Sequence, residues 1–122
     1  MVKSVVIIVD QSPIGKNSAI EAMRLGAGFM GLGEEIECKI IFLGDAVYVM
    51  NKNADPTILG MDSFEEPLEM ADLSDLEINI LDKALEDAGL SSEDLVEYTN
   101  QKVITFEEMT EMITSADTTF RY

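Results

Sequence analysis

Apolar residues along this chain fall into short runs, separated by polar stretches that carry turn and helix-start signals. The first run, Val2–Val9, is nearly unbroken and rich in β-branched side chains. That pattern suits a strand buried on both faces, as in a parallel sheet. It ends at Asp10-Gln11-Ser12-Pro13-Ile14-Gly15, a loop by its polar, Pro and Gly content. Helical spacing follows over Ser18–Leu32, where Ala19, Ala22, Gly26 and Phe29 form an apolar stripe. Ser18 and Glu21 stand at capping-box spacing, and Gly31 and Gly33 offer a left-handed stop. Gly26 and Gly28 cost helix stability, and they fit a helix whose backbone lies close to a sheet.

The second strand is expected over Ile36–Leu43, with Cys38, Ile40 and Phe42 on one face by period two. Gly44-Asp45 ends it, and Asp45 is placed to cap a short helix through Met50. Asn51–Met61 reads as a loop. Ser63 and Glu66 repeat the capping-box spacing before a helix over Phe64–Ala71, with Pro67 at its first turn. Glu77–Leu81 is the third strand, followed by a helix over Asp82–Ala88 that Gly89 stops. Ser91-Ser92-Glu93-Asp94 starts a short turn, and Lys102–Ile104 is a brief fourth strand. Thr105 and Glu108 cap a last helix to Ser115, and Thr118–Tyr122 is a terminal strand. Strands alternating with helices predict right-handed parallel βαβ units: an α/β three-layer sandwich with a five-stranded, mainly parallel sheet and helices on both faces.

Length and composition narrow this picture. A chain of 122 residues with 47% hydrophobic content fits one globular domain, 1–122. Its 24 acids against 8 bases give a net charge of −16, which repels phosphates and anionic lipids. Direct nucleic-acid binding needs a basic stripe, and the sequence has none. The segment from 62 to 97 holds 13 acids against Lys83 alone and reads as a solvated face. The N-terminal apolar run is too short to span a bilayer and carries no cleavage site, so no membrane association and a cytoplasmic location are expected. The single cysteine forbids an internal disulfide, and the lack of histidine removes the commonest general base and transition-metal ligand.

Chemistry in an open parallel sheet belongs at the carboxyl ends of the strands. The segments there are Asp10–Gly15, Gly44–Asp45 and Leu81–Asp82, so the candidate pocket is Ser12, Pro13, Gly15, Gly44, Asp45 and Leu81. Gly15-Lys16 suggests a phosphate loop, but Asp10 stands where the first glycine should be and Asn17 where Ser or Thr should follow the lysine. Asp10, Asp45 and Asp82 do not complete a phosphoacceptor site, because no lysine follows Lys102. No EF-hand spacing is present, and no metal site or cofactor is expected. Cys38 lies inside a strand, away from the expected pocket, with Lys39 on the opposite face. It reads as core rather than as a reactive thiolate. The eight methionines read as core filler.

The chain as a whole resembles the DsrE/DsrF/TusC-like sulfur-relay proteins. Lys3–Val9 with Ser12-Pro13-Ile14-Gly15 is similar to their first strand and "aPyG" loop. Phe42–Tyr48 is similar to "FFLGDGV", Asp55-Pro56 through Asp62-Ser63-Phe64 to the loop before their third helix, and Ala88–Leu95 to "RGLSPEDL". Ala116-Asp117 before a closing strand resembles their ending, and the TusC/DsrF branch looks nearest. The resemblance implies a flavodoxin-like layered domain that forms homo- or hetero-oligomers with DsrE-like subunits. It also implies a cytoplasmic role in passing persulfide sulfur between proteins, for tRNA thiolation or sulfur metabolism. In members that carry sulfur, the acceptor cysteine follows the third strand, eight residues before the glycine of the "RG" motif. Counting back from Gly89 lands on Leu81, which has no nucleophile.

Three readings follow. The first is a non-catalytic subunit of a sulfur-relay assembly, shaping the pocket named above, and the balance leans away from an enzyme. The second is a sulfurtransferase acting through Cys38. The third is a small-molecule-binding or regulatory domain on the same fold.

Overall fold

Among the described residues five strands alternate with four helices: β1 (Ser4–Val9), α1 (Ser18–Met30), β2 (Glu37–Phe42), α2 (Glu65–Leu73), β3 (Glu77–Leu81), α3 (Asp82–Ala88), β4 (Gln101–Ile104), α4 (Phe106–Ser115) and β5 (Thr118–Arg121). This computed structural model describes residues 2–33, 35–54, 56–61 and 63–122, with the backbone alone at Leu59. Short 3₁₀ turns occupy Gly44–Met50, Pro56–Leu59 and Ser92–Asp94. Asp55 and Asp62, which carry part of the family resemblance, lie outside the described residues.

All strand pairs are parallel, in the order β4-β3-β2-β1-β5. The chain steps outward from β1 to β4, and α4 then returns it to β5 on the other side of β1. Alternation sorts the side chains into two faces. Val5, Ile7 and Val9 stand in register with Cys38, Ile40 and Phe42, and all six are buried on the face that α1 covers, with α2 packed against α1. The approach of α1 is close: a Cβ on Gly26 would lie 2.7 Å from a Leu76 methyl and 3.5 Å from Ile7. Gly28 meets nothing within 4 Å, so only the first of the two helix glycines answers to the sheet. On the other face α4 lies beside Val6 and Lys39, with Met112 and Ala116 turned toward them.

The strands lie close to where the sequence places them, and several helix ends differ. Ser18 is already helical, and the cap position is Asn17, whose carbonyl accepts from the Glu21 N–H at 2.9 Å. The Ser18–Glu21 box therefore does not form. Gly31 stays in the helical region at φ −68°, and the positive φ falls at Gly33. Ser63 instead accepts from the Glu65 N–H at 3.1 Å, one residue before the Phe64 cap position. Asp45 sits inside the first 3₁₀ turn after Leu43 and caps nothing with its side chain. Thr105 and Glu108 do close a reciprocal box on α4, as do Ser91 and Asp94 on their turn. Met23, Met50 and Met109 are buried, whereas Met70 is exposed.

Candidate functional site

The carboxyl ends of β1, β2 and β3 lie side by side along one edge of the sheet. The loop after β1 turns at Ser12, whose hydroxyl accepts from the Ile14 N–H at 3.2 Å. Pro13 is buried, and Gly15 takes φ +73° and directs its N–H at the Met61 sulfur, 3.2 Å away. Gly44 follows β2 at φ +54°, so close to the first loop that a Cβ would lie 2.9 Å from the Asp10 carbonyl oxygen. Asp45 beside it is exposed. Leu81 ends β3, one strand further along, and forms the extended step into α3 with only 8% exposure. The geometry thus sets Gly44 against Asp10 and places Leu81 where the next strand end begins a helix.

The edge beyond β1 is spanned from the other side. Arg121 of β5 pairs its guanidinium with the Asp10 carboxylate, and the Tyr122 N–H donates to the Ile8 carbonyl at 2.9 Å. The point where strand order reverses is therefore bridged at its rim by an ion pair that the sequence did not single out.

Cys38 is remote from these loops. It is the second residue of β2, at the opposite end of the strand, and is 2% exposed under α1. Burial pushes its thiol up to about 12, so the group is protonated at neutral pH. A thiolate nucleophile needs the reverse: exposure and a lowered value.

Two cavities open elsewhere. One, of about 400 Å³, lies between α4 and the start of β1 and β2, bordered by Glu37, Lys39, Glu108 and Glu111. The other, of about 500 Å³, lies between α2, the segment after Val49 and the segment through Tyr98. Neither is lined by Ser12, Pro13, Gly15, Gly44, Asp45 or Leu81.

A polar network also crosses the α4 side of the sheet. Asn79 is fully buried, donating to Glu77 at 3.0 Å and to the Ile40 carbonyl at 3.4 Å. Glu77 in turn receives Lys102 at 2.9 Å and Lys39 at 3.8 Å. Burial alone would raise the Glu77 carboxyl, but the Asn79 amide and the two ammonium groups outweigh it and hold it below its ordinary value. The only sequence signal for this network was the polar alternation inside β3. Among the described residues no group of three or more acidic or thiol side chains is placed to hold a metal ion. No described helix is long and apolar enough to cross a membrane.

The model of the DsrE/DsrF-like family matches residues 3–122. No curated protein matches the chain. Among solved structures, the ychN protein of E. coli superposes with a TM-score of 0.80 at 18% identity, covering 98% of this chain and 99% of that one. A protein of unknown function from Methanobacterium thermoautotrophicum, MTH1491, superposes at 0.74 with 12% identity and the same coverage. At these identities the two structures speak for the fold.

Proposed function

The chain belongs to the DsrE/DsrF-like family, and from that premise we propose that it is a non-catalytic subunit of a sulfur-relay assembly, of the TusC/DsrF type. The observation that carries this reading is Leu81. The family resemblance places the sulfur-accepting cysteine there, and the position is the buried last residue of β3, opening into α3. Persulfide transfer requires a thiolate to attack the sulfane sulfur of a donor. A new S–S bond forms as the donor's own S–S bond breaks, and the electron pair leaves on the donor's departing sulfur. A leucine side chain supplies no such electron pair. Cys38 does not substitute for it, being buried, protonated and at the far end of the neighbouring strand.

The chain's contribution is then structural: it offers the loops at Ser12, Pro13, Gly15, Gly44 and Asp45, with Leu81 beside them, to a subunit that carries the thiol. A cytoplasmic assembly of like-folded chains fits this role. Sedimentation of the protein mixed with a cysteine-bearing DsrE-like chain from an adjacent reading frame tests it. A joint, faster-sedimenting species is the expected result, and two chains that sediment independently as monomers would refute the assembly.

A further inference from the structure

The outer edge of β5 carries a pairing chemistry that the sulfur-relay reading does not use. β5 ends the sheet order, so its far side meets no strand among the described residues. The register sets Val6 against Thr119 and Ile8 against Arg121, and the Tyr122 N–H donates to the Ile8 carbonyl. In a parallel pair the backbone groups of alternate residues turn toward the partner. Phe120 therefore directs its N–H and C=O at β1, and Thr119 and Arg121 turn theirs outward. A bare edge of this kind is a template for another strand.

The side chains leave that edge open. Thr118, Thr119 and Phe120 are uncharged, and Thr119 and Phe120 are exposed. The Phe120 ring lies 5.9 Å from Phe29 of α1 and is still 39% exposed. Arg121 is the one charged residue of the strand, and Asp10 of the same chain neutralises it. The opposite edge of the sheet differs. There β4 carries the exposed Lys102, bound to Glu77, and acids flank it at Glu97, Glu107 and Glu108. An exposed lysine on a short strand blunts an edge against pairing.

Charge and symmetry name the occupant. Each copy carries −16, which holds copies apart over most of the surface. Residues 11–33 and 118–122, which include α1 and β5, are the exception. They hold Lys16, Arg24 and Arg121 against Glu21 alone of the chain's 24 acids, so two copies meet there with least repulsion. The edge is also self-complementary. A two-fold axis through Phe120 sets Thr119 opposite Arg121 of the second copy, and each such pair exchanges both its N–H···O bonds. The Phe120 side chains then face each other as a close aromatic pair on the side where Phe29 lies, an arrangement that stabilises antiparallel strands. We propose that β5 is a self-pairing edge, joining two copies of this chain antiparallel, through Thr119 and Arg121, into one continuous sheet. This edge includes none of the loop residues offered to a thiol-bearing subunit, so the pairing stands or falls apart from the sulfur-relay role.

Sedimentation equilibrium of the protein alone, over a range of concentrations, tests this. A monomer–dimer equilibrium is expected, and added salt should tighten it by screening the acidic repulsion. Thr119→Pro should weaken the dimer by about ten-fold or more, because proline removes the outward N–H and leaves the bonds to β1 intact. Val103→Pro makes the matching change on the outer side of β4, where the Ile78 N–H bond to Asn100 and the register turn Val103 outward, and it should leave the dimer as it is. Circular dichroism of both variants reports folding. A second readout fixes the axis. Phe120→Cys should crosslink to its own copy under mild oxidation and Thr119→Cys should not, because only a residue at the axis faces itself within disulfide reach. Cys38, 2% exposed, does not compete. A monomer at every salt and protein concentration, a dimer indifferent to Thr119→Pro, or equal crosslinking at both positions would overturn the self-pairing. So would a paired species that forms only when a cysteine-bearing DsrE-like chain is added, which would give the edge to that chain.

Discussion

At Glu77 a single carboxylate holds together three strands. Its carboxyl is held below the ordinary value of 4.5, so the folded state favours the ionised form. The stability this confers is present above the ordinary glutamate range and is lost as pH falls through the lowered folded value. Glu77→Gln should therefore cost about 1–2 kcal/mol at neutral pH, and urea unfolding at stepwise lower pH should show the difference shrinking below pH 4.5. A constant difference across that range would remove the ion pairs from the account. The network was not legible beforehand, because its partners Lys39 and Lys102 come from strands far apart in sequence. Cys38 was legible: period two put it on the buried face, and the structure leaves it 2% exposed.

Among the elements, the junction after β2 depends on Gly44. Its φ of +54° already disfavours a side chain, and a Cβ would lie 2.9 Å from the Asp10 carbonyl, a backbone atom with no rotamer to yield. Gly44→Ala should cost about 2–4 kcal/mol, combining left-handed strain with overpacking. Gly28→Ala, at an open and exposed helical position, should instead stabilise by up to about 1 kcal/mol. Paired thermal melts of the two variants check both signs. Helix starts were legible where a side chain reaches the third turn residue, as at Thr105 and Glu108. They misled at Ser18 and Ser63, where the true caps are Asn17 and Phe64. Ser/Thr with Glu three residues on is a local pattern, and tertiary packing decides which residue enters the helix first. Strand ends, set by runs of buried side chains, shifted by no more than two residues.

For the whole molecule, alternation of strands and helices predicted the parallel sheet. It did not give the order β4-β3-β2-β1-β5, which depends on where α4 carries the chain. The six strand-end residues were chosen by that fold-level rule, and the structure places them in and beside the loops at the carboxyl ends of β1, β2 and β3. The cavity beside α2 was not legible, because it joins three segments whose composition looks like an ordinary acidic surface. The proposed role rests on two residues of adjacent strands, Cys38 of β2 and Leu81 of β3. The direct measurement is intact-protein mass after brief exposure of the native protein to a polysulfide donor, on the wild type and on Leu81→Cys with Cys38 retained. The account predicts no added sulfur on the wild type until it is unfolded, and one labile sulfur on the Leu81→Cys protein at the introduced thiol. Stoichiometric sulfur on Cys38 of the folded wild type would contradict it.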